Sequence, residues 1–294
     1  MKLKYLDSKL LSDFPSGSAI EYYNDQLYLV GDDASNVLVL NKRWKELRRI
    51  SLFETEELRV AKETKPDFES STIIETENSP LMLVVGSGSY PPYRNKAYLV
   101  SLDKNDQNQL AEHDLTVFFN RISACGISEL NIEATATIKD QIIFCNRANQ
   151  TNRLNKFIVT DNDFWKNQQE APIVILALDL PENKDVAGVS GLTYSEKNDW
   201  LIFSASTELT SNAFDDGEIG ASYIGVIENA SRKIGRKSMK VNEYINLPEI
   251  HKKFNNQKIE SLCIQSEKNG RVKLHLTADN DTGTTMLFKV RLKD

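Results

Sequence analysis

A short local frame recurs five times along this chain, each time just ahead of a pair of apolar runs. The frames are Gly17-Ser18-Ala19-Ile20, Phe68-Glu69-Ser70-Ser71, Ile132-Glu133-Ala134-Thr135, Val189-Ser190-Gly191-Leu192 and Ile259-Glu260-Ser261-Leu262. Their acidic or hydroxyl residues stand 51, 64, 57 and 70 positions apart. After each frame come a few residues of strand, a polar turn and a second apolar run, at 27–30, 81–85, 141–145, 200–204 and 272–277. A strand-turn-strand unit repeated at that period builds a propeller, because each unit needs a neighbour on either side to bury its apolar faces. Equivalent positions on the innermost strands then converge on one axis, which brings Glu69, Glu133 and Glu260 together with Ser18 and Ser190.

Alternation and turn residues divide each repeat into strands. The first repeat reads as strands at 18–22, 26–30, 37–40 and 46–52. The second gives 71–74, 81–85, 97–102 and a weaker outer strand at 109–114; the third gives 134–138, 141–145, 156–159 and 172–178. The fourth gives 190–194, 200–204, 223–227 and 239–245. The fifth has only 259–265, 271–277 and 285–292, so its missing outer strand is expected from residues 2–11 at the other end of the chain. Such closure removes the open edge that invites aggregation. The expected fold class is all-β, a five-bladed β-propeller forming a single domain over residues 1–294, with a sixth blade in 103–131 or 229–258 as the alternative count. Helical turns are expected only near 115–121 and 247–253, the latter opened by Pro248.

Charge and cysteine usage narrow the function classes. A net charge of −6 with no basic stripe argues against nucleic acid as a partner. The one basic cluster, 231–240, reads as a solvated loop. No run of about 18 apolar residues exists, so no membrane span is expected. The first eight residues carry charge too early and too often for the apolar core of a signal peptide, which makes the cytoplasm the expected location. Three widely spaced cysteines, Cys125, Cys145 and Cys263, fit that compartment.

Three carboxylates around a narrow axis cannot all stay ionised and unpaired. Two unit charges ~4 Å apart repel by about 4 kcal/mol at an effective dielectric near 20. Either some hold protons at raised pKa or a cation sits among them. Carboxylate and hydroxyl oxygens make a hard shell suited to calcium, and no histidine or cysteine shares the frame, which argues against zinc or copper. The expected metal ligands are therefore Ser18, Glu69, Glu133, Ser190 and Glu260, with Ca²⁺ as the cofactor. The opposing reading has each glutamate bonding backbone N–H groups of a neighbouring blade.

A second recurring position follows the second strand of each repeat, at the channel mouth. It holds Asp32-Asp33, Gly86-Ser87, Asn146-Arg147, Ser206-Thr207-Glu208 and Asp279-Asn280-Asp281. Loops at one end of a propeller form its ligand site. Arg147 is suited to clamp an anion such as phosphate, and Asp32, Asp33 and Glu208 to orient a water as general base. These four form the candidate catalytic set. Gly86-Ser87-Gly88-Ser89 opens no helix and lacks the lysine of a phosphate-binding loop, and no nucleophile elbow occurs.

At these residues the chain resembles the soluble calcium-activated nucleotidases (apyrases). The series Ser18, Glu69, Glu133, Ser190, Glu260 matches the order of that family's channel ligands. Asn24–Val30 followed by Asp32-Asp33, and Gly188-Val189-Ser190 followed by Ser206-Thr207-Glu208, match its first and fourth blades. One arginine of the family's pair is present at Arg147, Gly31 is an extra residue, and the family's glycine-lysine-glutamate-tryptophan stretch is missing. The layout is also similar to esterase-like phytase domains and to uncharacterised bacterial propellers. The resemblance implies a five-bladed fold with central calcium and a phosphate-bearing small molecule as ligand; on charge and the lack of an apolar span, neither nucleic acid nor membrane is expected as partner. Two functions follow: a calcium-dependent phosphohydrolase acting on nucleotides or other phosphate esters, or a non-catalytic propeller whose central metal is structural and whose mouth binds a ligand or protein.

Overall fold

The second strand of the first repeat is buried along its whole length, and its two faces meet different neighbours. Leu27 and Leu29 pack with Phe14, Ile20, Cys263 and Leu287, whereas Tyr28 and Val30 pack with Phe68, Met82 and Val84. A strand covered on both faces needs a continuous apolar run rather than strict alternation, as Leu27–Val30 supplies. Similar runs recur in each repeat, and the result is a ring of sheets. The computed structural model describes residues 1–76, 79–102, 110–181, 185–208, 219–279 and 283–294.

Strand β1 (Lys2–Leu11) comes first in the chain but belongs to the last blade. Blade one is β2 (Gly17–Tyr23), β3 (Gln26–Gly31), β4 (Asn36–Asn41) and β5 (Glu46–Ser51). Blade two is β6 (Phe68–Ile74), β7 (Leu81–Gly86), β8 (Lys96–Ser101) and β9 (Leu110–Asp114). The helix α1 (Thr116–Ala124) follows, burying Phe118, Phe119 and Ile122 between blades two and three. Blade three is β10 (Ile132–Ile138), β11 (Gln141–Asn146), β12 (Lys156–Asp161) and β13 (Val174–Asp179). Blade four begins with β14 (Ala187–Ser195), β15 (Trp200–Glu208) and β16 (Ile219–Glu228).

The next segment corrects one expectation. Residues 239–245 are not one outer strand. Its first part, β17 (Ser238–Lys240), adds in parallel to β13 as a fifth strand of blade three, and β18 (Glu243–Asn246) then returns as the outer strand of blade four. Met239 is the reason for the detour: its side chain is fully buried among Leu176, Leu178 and Ile234. The short helix α2 (Leu247–Ile250) leads into blade five, β19 (Lys258–Lys268), β20 (Arg271–Asp279) and β21 (Thr285–Lys293). There β21 pairs with β1 in antiparallel register from Lys2 opposite Lys293 to Leu11 opposite Thr285. The ring is thus closed by strands from both ends of the chain.

Five sheets, and no sixth blade, occur among the described residues. Five apolar clusters fill the joints, one between each pair of adjacent blades. The innermost strands β2, β6, β10, β14 and β19 neighbour one another in ring order around the axis. Among the described residues no helix is long and apolar enough to cross a membrane.

Candidate metal centre at the channel mouth

Each inner strand carries the same defect at the same place. Pairing with the second strand runs from Gly17 to Ala19, Phe68 to Ser70, Ile132 to Ala134, Val189 to Gly191 and Ile259 to Ser261, skipping one residue each time. The skipped residues are Ser18, Glu69, Glu133, Ser190 and Glu260. A bulge leaves its extra residue outside the ladder and re-aims its side chain, which is why bulges collect beside functional sites. The five frames of the sequence are five equivalent β-bulges at the mouth end of the inner strands.

The two serines use their protons between blades. Ser18 Oγ donates to the carbonyl of Phe68, and Ser190 Oγ to that of Ile259 at 2.5 Å. Each acceptor is the residue immediately before the next blade's glutamate. The hydroxyls therefore stitch blade one to two and blade four to five.

On the side of blades three to five the acids are paired in an alternating chain. Glu133 Oε1 accepts from Arg147 Nη1 at 3.2 Å and from Asn131 Nδ2 at 2.7 Å. Arg147 Nη2 reaches Glu208 Oε2 at 2.6 Å, Lys258 Nζ lies 3.2 Å from the same oxygen, and that ammonium is 3.1 Å from Glu260 Oε1. Every member but Lys258 is less than a tenth exposed. Burial disfavours the charges of Arg147 and Lys258, yet the surrounding carboxylates more than offset it and hold both pKa values above their usual range. Glu260 goes the other way. Burial, reinforced by Glu133 and opposed by Lys258, pushes its carboxyl up to about 8, and its Oε2 is buried with no hydrogen-bond partner.

Gly188 makes this chain possible. A Cβ at that position would stand 2.3 Å from Arg147 Nε and 2.6 Å from its Cγ. The glycine lets the guanidinium cross from blade three to the acid on blade four.

The side of blades one and two is arranged differently. Asp32, Asp67 and Glu69 each place one carboxylate oxygen within 4.8 Å of the others. Lys65 Nζ lies against Asp32 and 2.7 Å from Asp67, and Arg94 takes the other Asp67 oxygen at 2.7 Å. Ser87 Oγ also donates to Asp67, at 2.5 Å. Asp32 Oδ1 is buried without a partner. Glu69 has no hydrogen bond or ion pair from the described residues. Burial first, then the charges of Glu133, Asp67 and Asp32, drive the Glu69 carboxyl well above the usual carboxylate range. Burial likewise raises Asp32 to about 6 against the pull of Lys65, with Asp33 and Asp67 adding to the rise. Six carboxylates (Asp32, Asp67, Glu69, Glu133, Glu208, Glu260) meet four cations (Lys65, Arg94, Arg147, Lys258) here. That leaves two formal negative charges among the described residues. This cluster of Asp32, Asp67 and Glu69 is an all-oxygen donor set able to hold a metal ion.

The sequence-derived residues distribute over these two halves. Glu69 and Asp32 sit in the acidic cluster, Glu133, Glu260, Arg147 and Glu208 in the ion-pair chain, and Asp33 at the rim, bonded to Arg59 Nε at 2.6 Å. Asn280 and Asp281 lie outside the described residues. Asp67, Lys65, Arg94 and Lys258 were missed by sequence reasoning. A signal for two of them exists: Asp67, Asn131 and Lys258 each stand two residues before a frame glutamate. Comparing that position across the repeats exposes two charged residues and an amide where turn polarity alone would not.

Residues 13–292 match the model of a family described as a family of unknown function (DUF6929). No curated protein matches the chain. Among solved structures, Myxococcus xanthus glutaminyl cyclase is similar over 99% of this chain and 96% of that one, at 8% identity and a TM-score of 0.55. A GH43 β-1,3-galactosidase is similar over 98% of this chain and 60% of that one, at 10% identity and a TM-score of 0.55. A Staphylococcus aureus virginiamycin B lyase matches 99% and 100% of the two chains at 11% identity, with a TM-score of 0.43. At such identities the likeness concerns the fold alone, and enzymes of unrelated chemistry share it.

Proposed function

The chain belongs to the DUF6929 family of unknown function, and on the geometry of its channel mouth we propose that it is a calcium-binding propeller whose mouth receives a phosphate-bearing small molecule. The observation that carries the reading is the unequal pairing of the two halves, each of which holds three carboxylates and two cations. Arg147 and Lys258 between them touch all three acids of their half, whereas Lys65 and Arg94 reach only Asp32 and Asp67, leaving an unpaired oxygen on Asp32 and an unpaired Glu69. Those three residues would hold the cation, with Ser18 as the neighbouring hydroxyl ligand. Lys65 then turns from Asp32 and Asp67 toward the ligand's anionic group.

When bound, calcium supplies Lewis-acid polarisation of a phosphate oxygen. Hydrolysis is the activity that such polarisation would permit, with Asp32 orienting a water. Binding is better supported than turnover, because Asp32, Asp33, Arg147 and Glu208 all hold ion pairs. An anion at the mouth would have to take Arg147 from two buried carboxylates.

The test is metal analysis of protein purified without chelator, followed by calcium titration of wild type, Asp67→Asn and Glu69→Gln. Stoichiometric calcium that is lost in both variants supports the reading. Protein that carries no calcium and whose melting temperature ignores both calcium and chelator ends it. Phosphate release from a nucleotide and phytate panel, calcium-dependent and absent in Glu69→Gln, would promote the hydrolase.

A further inference from the structure

Blade five carries a second charged surface, of opposite sign, at the end away from the mouth. Strand pairing places Lys2 opposite Lys293, Lys293 opposite Arg271 and Arg271 opposite Lys268. One step inward it places Lys4 opposite Arg291, Arg291 opposite Lys273 and Lys273 opposite Ser266. Residues paired across strands share a face, and so do residues two apart along a strand. Seven of the eight positions in these two rows are therefore cations on one face of one sheet. Neighbouring columns lie about 4.8 Å apart and the two rows about 6.8 Å apart.

This placement is costly for the fold. Like charges directly opposite in a sheet destabilise it. Among the described residues none of the seven has a salt-bridge partner, although the whole chain has a net charge of −6. The acids at the border are Asp7, whose carboxylate accepts from the Ser8 backbone N–H, and Asp294. Glu267 points to the other side of the sheet, toward Ser195 and the Lys197 backbone N–H. The next row inward, Lys289 and His275, is covered by Trp44 of blade one and feels the same field. Burial lowers the pKa of both, and the charge of Lys273 lowers it further.

The rows border a recess of about 370 Å³ lined by Ser266, Lys268, Arg271, Lys273, Arg291 and Glu267. That is the size of a small-ligand pocket. A recess favours a compact ligand over a flat bilayer, and no aromatic ring occupies the eight positions to stack nucleic-acid bases. Arginine at two lining positions suits bidentate contact with phosphate oxygens. We infer that the two cation rows of blade five, Arg271, Lys273 and Arg291 foremost, bind a compact small molecule bearing several phosphate groups, at a site separate from the channel mouth.

Tripolyphosphate titrated calorimetrically at about 50 mM salt in the presence of EDTA tests this. Saturable binding is expected, with log affinity falling as log salt rises because bound counterions are released. Arg271→Gln/Lys273→Gln/Arg291→Gln should lose at least tenfold in affinity, orthophosphate should bind at least tenfold more weakly, and Glu69→Gln should bind as wild type. Unliganded, the triple variant should melt no lower than wild type, since repulsion is relieved. If it fails to fold, Lys268→Gln/Lys293→Gln serves the same comparison with an expected loss of several fold. Absent binding, binding unchanged in either basic variant, or tighter capture through these residues of a thymidine oligonucleotide or of phosphatidylserine vesicles would each overturn the inference.

Discussion

The two halves of the channel mouth solve one electrostatic problem in different ways. From Glu133 to Glu260 three acids alternate with Arg147 and Lys258, so each charge touches an opposite one. From Asp32 to Glu69, Lys65 serves Asp32 and Asp67, Arg94 serves Asp67 again, and Glu69 is left without either. The first arrangement is self-contained. The second is incomplete in pairing, with both cations drawn to Asp32 and Asp67 and a carboxylate at Glu69 with nothing to hold, which is what a site for an added cation looks like. Both descend from the same bulge in the same repeat. What separates them is the residue two positions earlier, lysine before Glu260 and aspartate before Glu69.

Breaking the self-contained half should have the largest effect. Arg147→Met strands Glu133 in the interior and leaves Glu208 to Lys258 alone, and loss of one partner of a buried pair costs about 3–5 kcal/mol. Urea unfolding should show that loss, and Arg147→Met/Glu208→Gln should recover part of it. Filling the incomplete half comes next. Free calcium at 100-fold above its Kd should stabilise the protein by about 2.7 kcal/mol through preferential binding to the native state. Thermal melts with and without chelator read this, and the gain should vanish in Asp67→Asn while surviving in Arg147→Met/Glu208→Gln.

A finer probe removes the resident cation. Lys65→Gln deletes a positive charge that competes for Asp32 and Asp67, so calcium should bind about tenfold more tightly, an effect near 1.4 kcal/mol. Unchanged affinity would mean that Lys65 and the metal do not share those oxygens. The smallest effect is a pH slope. Glu260 titrates near 8 when folded and near 4.5 as an unperturbed carboxyl. Between those values the native state holds more protons, so stability falls as pH rises through that window. The slope is at most about 1.4 kcal/mol per pH unit, and coupling to Lys258 spreads it further. In chelator, denaturation curves from pH 5 to 8 should flatten in Glu260→Gln relative to wild type.

Much of the fold was legible because its signal is repetitive. Five frames with five apolar runs gave the blades, and the short last repeat pointed to residues 2–11 as the closing strand, which β1 provides. The misread segment, 238–246, fails for a local reason. It is divided between two blades, and only the burial of Met239 against blade three reveals the division. In the site, the frame residues were visible, but their partners were not, because Lys65 and Arg94 lie on connections that break the repeat. The expectation of no basic stripe was also incorrect. No window of sequence contains it, since its seven cations come from residues 2–4, 268–273 and 291–293 and meet only through strand register.

The borrowed strand in blade five has a consequence for synthesis. Residues 2–11 leave the ribosome well over two hundred residues before their hydrogen-bonding partner, Thr285–Lys293. Until then an early ten-residue segment with unpaired N–H and C=O groups waits in solution, together with four finished blades whose ring is still open. A helper protein that shields such segments would find its longest opportunity here, and a chain broken off before Thr285 would be left without its clasp.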